Sequence, residues 1–266
     1  MPRPGKDLRL SQIIDQKSKK SLILEADQGL TLGPIPGIED LTLLLKKIKD
    51  KVDAIVLSKG QVGRLIDFFK GKNAPALLIR ADWTNAFREE GFILPAREIK
   101  YILSIRVEDA LMLGASGIAS RLFVGYDEDE DEAANVKSIA ELAGECESYG
   151  VPLLVEAFPI GERVTKENYI DCARLAARIA VEAGADIVAI PYKENANLIH
   201  QIIEAVNGPV LISEGEASIN SLIKDLDNLI KAGATGLIIG RNSLQLRELP
   251  QLLDEVNKLM RKELGA

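Results

Sequence analysis

A single-domain (β/α)8 barrel spanning residues 1–266 is predicted by three observations. Short apolar runs bounded by turn residues recur along the chain, and stretches with helical spacing lie between them. No linker or low-complexity segment interrupts the series. Connections long enough for a helix and too long for a hairpin require parallel strand pairing. A length of 266 residues would also allow two small domains, but the uninterrupted repetition favours one closed barrel over an open, doubly wound sheet.

Residues 1–20 are polar and basic and form a weakly amphipathic lead-in that caps the bottom of the barrel or packs on it. The first strand is expected at 21–26 (SLILEA), followed by a loop carrying GPIPG and a helical stretch at 38–49. Further strands are expected at 54–58, 76–81, 117–124, 152–157, 186–190, 210–213 and 235–239. Helices are expected at 106–113, 132–149, 166–183, 195–206, 217–232 and 248–262, toward a total of eight strands and eight helices. Residues 83–103 exceed an ordinary βα loop and are expected either to fold over the site or to form an oligomer contact.

Composition narrows the function classes. A hydrophobic fraction of 47% and a charged fraction of 27% are those of an ordinary globular protein. A net charge of −7 argues against nucleic acid or an anionic membrane as partner, because the basic footprint is missing. There is no apolar run of about 18 residues, and no signal peptide is expected, so a cytoplasmic protein is anticipated. Cys146 and Cys172 fall in helical stretches without C-x-x-C spacing, which disfavours a disulfide framework or zinc site. A homo-oligomer is expected, and no cofactor or resident metal.

In a closed barrel the chemistry sits at the C-terminal strand ends. The polar residues there are Asp27 and Gln28, Ser58 and Lys59, Asp82, Glu156, Tyr192 and Lys193, Ser213 and Glu214, then Arg241. Asp27, Lys59, Asp82, Glu156 and Lys193 are the candidate catalytic groups. Carboxylates buried together shift their pKa values and become acids or bases, and a desolvated amine becomes a nucleophile. The same carboxylates have Lys59 and Arg80 as pairing partners, and Glu156 with Asp27 or Asp82 offers a hard-ion alternative for Mg²⁺. A phosphate cup is expected from Ser213, Glu214, Gly215, Gly240 and Arg241, where two adjacent strands end in small residues beside a forked cation. His200, the single histidine, falls on an outer helix. The acidic run 127–132 precedes a helix, where acids favour the positive dipole end.

These strand ends resemble those of the archaeal-type class I fructose-bisphosphate aldolases and the related DeoC/LacD/FbaB group, over about residues 21–246. The motifs that carry the likeness are ADQGLTLGPIPG after the first strand, LSKG at 57–60, FVG at 123–125 and GRN at 240–242. The resemblance implies a TIM barrel and an aldolase-type carbon–carbon lyase acting on a small phosphorylated sugar or keto compound. It also implies a Schiff-base lysine at the end of the sixth strand. The sequence there is ADIVA, so Ala189 stands in its place. The family's tyrosine position is Phe158, its first-strand histidine position is Gln28, and its Ser-Gly-Gly is Ser213, Glu214, Gly215. An imine would therefore have to come from Lys193, which shares strand parity with Ala189 if the strand reaches it, or from Lys59. A carboxylate- or Mg²⁺-assisted enolising enzyme and a sugar-phosphate-binding barrel without catalysis are the alternatives.

Overall fold

The computed structural model describes residues 4–35, 38–193, 196–215 and 218–261. Eight parallel strands close into a barrel: β1 (Ser21–Glu25), β2 (Ala54–Leu57), β3 (Ala76–Arg80), β6 (Gly117–Val124), β7 (Leu153–Pro159), β8 (Ile187–Pro191), β9 (Val210–Ser213) and β10 (Gly236–Ile239). The remaining two strands, β4 (Asp82–Thr84) and β5 (Tyr101–Leu103), pair with each other as an antiparallel ribbon outside the barrel. Closure is made by β1 pairing with both β2 and β10. The predicted ends at Asn195, Ala217 and Lys262, and Pro36 and Gly37 of the GPIPG turn, lie outside the described residues.

Strand parity divides the core in two. Inside the barrel are Ile23, Ala54, Val56, Leu78, Ala119, Leu154, Ile187, Ala189, Leu211 and Ile238. The opposite parity faces the helices and forms a larger apolar layer, because both faces of a parallel sheet are covered. The helix Pro4–Ile13 closes the bottom: Ile13 packs into the lumen cluster, and its carbonyl accepts the Ser21 hydroxyl at 2.7 Å. The lead-in thus caps the barrel.

Local signals set the helix starts. Asp40 accepts hydrogen bonds from the N–H groups of Thr42 and Leu43 ahead of Leu41–Ile48, a cap worth about 1 kcal/mol. The acidic run opens Asp129–Tyr149 with four acids in its first turn, and Gly150 closes it in the left-handed conformation. Glu132 also accepts the Gly125 N–H at 2.9 Å, which ties this helix to the end of β6.

β1, β2 and β3 each end one residue before the expected position, and two further strand ends bear on the site. β7 runs to Pro159, two residues past its predicted end, because it pairs with β6 up to Val124. β8 stops at Pro191, so Lys193 lies beyond the strand and the parity shared with Ala189 does not reach it. Pro191 has no N–H to offer β7, whose pairing with β8 ends at Ala189, while the Tyr192 N–H still reaches the Ser213 carbonyl of β9 at 2.8 Å.

Candidate active site

Three alternating positions on β6, Gly117, Ala119 and Arg121, share one parity. The first two lie close over the lumen, and the third rises to its top as a guanidinium. On β3 the same pattern gives Ala76, Leu78 and Arg80. Both arginines are buried, and carboxylates from neighbouring strand ends surround them. Arg80 donates to Asp27 at 2.7 Å, Glu25 at 2.6 Å and Glu156 at 2.5 Å. Arg121 donates to Glu25 at 2.6 Å and to Asp27 and Asp82 at 3.3 Å each. Two guanidinium groups thus bridge β1, β7 and the start of the ribbon across the top of the lumen.

Charge balance accounts for the opposite shifts of Glu25 and Asp27. Four carboxylates (Glu25, Asp27, Asp82 and Glu156) face two guanidinium groups. Full ionisation would leave a net charge of −2 in a desolvated space, which is costly. Glu25 relieves it. Burial and the neighbouring Glu156 and Asp27 push its pKa up to about 7, against the opposing pull of the arginines. Burial also acts to raise Asp27, but Arg80 and Arg121 outweigh it and hold that carboxyl below its usual range. Both arginines are driven further into their charged form by the carboxylates despite burial.

Above the cluster lies a cavity of about 290 Å³. Glu25, Glu156 and Arg121 form part of its lining, whereas Asp27 and Asp82 lie beneath, holding the arginines. One wall is aromatic: Phe87 packs edge-on to Phe158 at 5.3 Å and covers the Arg121 guanidinium at 5.4 Å. The 83–103 segment therefore folds over the site, supplying Ala86, Phe87 and Glu89 to the lining, and Arg88 anchors it by donating to the Thr31 carbonyl at 3.0 Å.

The remaining predicted residues divide. Lys193 lines the cavity with its ammonium 4.6 Å from the centre of the Tyr169 ring. Lys59 does not join it: its ammonium donates to the Ser104 carbonyl at 3.0 Å, so of the pairing partners anticipated for the carboxylates, Arg80 holds and Lys59 does not. Tyr192 turns its hydroxyl outward to Asp225 at 2.7 Å. Ser213, Glu214, Gly215, Gly240 and Arg241 gather at one end of the cavity. There the Gly240 N–H is given to the Glu214 carboxylate at 2.9 Å, and the Glu214 N–H to the Ile238 carbonyl at 3.1 Å. Ala189 faces the lumen level with Glu156, at the height where the two guanidinium groups spread. His200 lies on the outer helix Ala196–Glu204, away from the cavity. Among the described residues, no three or more His, Cys, Asp or Glu side chains are grouped to hold a metal ion, and no helix is long and apolar enough to cross a membrane.

Comparison with known proteins decides the family. Residues 21–246 match the DeoC/LacD family aldolase model. The chain belongs to the DeoC/LacD aldolase family. It is accordingly an enzyme of the aldolase, carbon–carbon lyase type. An uncharacterized aldolase of Saccharolobus solfataricus is 30% identical over 264 residues, covering 96% of this chain and 94% of that protein. A 2-amino-3,7-dideoxy-D-threo-hept-6-ulosonate synthase of Archaeoglobus fulgidus is 30% identical over 243 residues, covering 90% and 84%. Among solved structures, an archaeal fructose 1,6-bisphosphate aldolase superposes with a TM-score of 0.81 at 24% identity, covering 97% of this chain and 99% of that one, which shows the shared barrel.

Two residues central to this DeoC/LacD aldolase's cavity, Glu25 and Arg121, were absent from the sequence-derived candidates. Glu25 is the last residue of β1 and Arg121 lies inside β6, and parity was the available signal for both. Glu25 ends SLILE as Glu156 sits in LLVEA, and Arg121 follows two small residues of its own parity.

Proposed function

We propose that this enzyme makes or breaks a carbon–carbon bond of a small oxo compound through an enolate held at Arg121, with the Glu25–Glu156 pair moving the proton. The observation that carries the reading is that these three groups line one cavity, with Glu25 poised near pH 7. In the cleavage direction the ionised carboxylate takes the proton of the hydroxyl β to the carbonyl. The bond between the α and β carbons breaks, its electron pair passes to the carbonyl oxygen, and an aldehyde departs. The enolate oxygen is met by guanidinium N–H donors, and the protonated carboxyl returns the proton to the α carbon. Arg121 Nε has no hydrogen-bond partner, with Glu156 Oε2 3.9 Å away, so the surrounding carboxylates do not saturate this guanidinium, and such donors stabilise an oxyanion. A carboxylate with a pKa near 7 is matched to both halves of this exchange at neutral pH.

Proton–deuterium exchange at the α carbon of small ketones, read by NMR in D2O, tests this without knowledge of the aldehyde partner. With dihydroxyacetone, hydroxyacetone or pyruvate, the exchange catalysed by the native enzyme is expected to slow about 10²–10³-fold in Arg121→Met. Undiminished exchange in that variant refutes the role of Arg121.

A second reading has one observation in its favour. Lys193 lines the same cavity, and an imine formed there would replace the enolate by an enamine. Its position past the end of β8, rather than at Ala189, weighs against the near-attack distance of about 3–3.5 Å that an imine requires.

A further inference from the structure

The loops after the seventh and eighth strands of such a barrel, here β9 and β10, frequently form a phosphate cup. Here that cup already holds an anion belonging to the chain. Glu214 is buried at 5% exposure, and its two carboxylate oxygens accept the Gly240 N–H at 2.9 Å and the Ser243 hydroxyl at 2.6 Å. The space above Gly240 is bordered by further carboxyl oxygens: a Cβ built there would lie 3.3 Å from Glu25 Oε2 and 3.7 Å from Glu214 Oε2. The third neighbour of that point is the Gln28 amide nitrogen, also at 3.3 Å, while Gln28 Oε1 is buried without a partner. A phosphate brings only acceptor oxygens and charge of the same sign. Arg241, half-buried at the same end, is one cation beside Glu214 and a Glu25 that ionises around pH 7, and carboxylates at close range in a desolvated site repel an incoming dianion.

We infer that Glu214 sets the specificity of this end of the cavity, closing the cup to phosphate and selecting a substrate whose distal end is uncharged or cationic and donates hydrogen bonds, a hydroxyl or an amine. The inference rests on the reading of this cavity as the active site and replaces the phosphorylated substrate that the strand-end sequences suggest. A donating group fits the acceptors present: a hydroxyl or ammonium reaching this end meets Glu214, Glu25 and the unpartnered Gln28 Oε1. Glycine in place of Glu214 would release the Gly240 N–H and the Ser243 hydroxyl together.

Calorimetric titration with inorganic phosphate, and with glyceraldehyde against glyceraldehyde 3-phosphate, tests this without any turnover. The native enzyme is expected to show no saturable phosphate binding in the low millimolar range and to bind glyceraldehyde at least as tightly as its phosphate ester. Glu214→Gly is expected to gain at least about tenfold in affinity for inorganic phosphate and for the ester. Glu214→Gln keeps the side-chain volume without the charge and is expected to gain in the same direction, so it answers the question if the glycine variant does not fold. Tight phosphate binding by the native enzyme, or folded variants of both kinds that gain nothing, overturns the assignment. A failure of the enolate reading would appear instead as absent ketone exchange, with these titrations unaffected.

Discussion

Arg121 concentrates the chemistry because, among the described residues, it is the guanidinium that both touches the cavity and pairs with the Glu25, Asp27 and Asp82 carboxylates. Arg121→Lys keeps a charge but loses the planar fork that reaches Glu25, Asp27 and Asp82 together, so ketone exchange is expected to fall nearly as far as in Arg121→Met. Glu25 gives a pH signature. Its proton is held up to about pH 7, and the base-competent form is the deprotonated one, so the exchange rate is expected to rise with pH through about 7 and then level. In Glu25→Gln that rising limb should vanish and the plateau drop by about 10²–10⁴-fold. A limb that survives in the variant assigns the titration to another group. Asp27, Asp82 and Glu156 could be read from the sequence because acids that end or follow strands are unusual there. Glu25 was equally open to such a reading, being penultimate in the expected strand 21–26 as Glu156 is in 152–157, whereas Arg121, a charged residue in the middle of an apolar strand, gives no sign of its partners until the barrel brings β1, β3, β6 and β7 to one height.

The ribbon of β4 and β5 is the element that turns an open barrel mouth into a cavity. Its register pairs Asp82 with Leu103 and Thr84 with Tyr101, so the chain between them projects over the strand ends and presents Phe87 to Arg121 and Phe158. Phe87→Ala is expected to raise KM several-fold with a smaller change in kcat, since the ring covers the guanidinium without meeting reacting atoms. Steady-state kinetics on the best exchanging ketone separates the two, and an unchanged KM removes the ribbon from the site. The unusual length of 83–103 was visible in the sequence, but its strand pairing was not, as both strands are only three residues long. Lys193 shows the opposite failure: parity is sound only while a strand continues, and β8 ends two residues short of it.

At the scale of the whole molecule, the barrel was legible because alternation of strands and helices is a global pattern, robust to errors of a residue or two at each end. Its closure depends on one contact that no periodicity reveals. Gly236 of β10 lies opposite Ser21 of β1, and a Cβ there would sit 1.8 Å from the Ser21 carbonyl oxygen. Gly236→Ala is expected to cost about 3 kcal/mol or more, because backbone must move apart at the seam; a urea midpoint equal to that of the native protein would contradict this. The closed barrel in turn sets Ala189 level with Glu156 and spreads two guanidinium groups at that height. The central claim is that carbon–carbon chemistry here runs through an enolate at Arg121 and not through an imine. Borohydride reduction during incubation with an exchanging ketone, followed by peptide mass spectrometry, tests it most directly. The expected result is exchange activity retained after reduction and no added mass on any lysine; a reduced adduct mapped to Lys193 or Lys59, with exchange abolished, would contradict it.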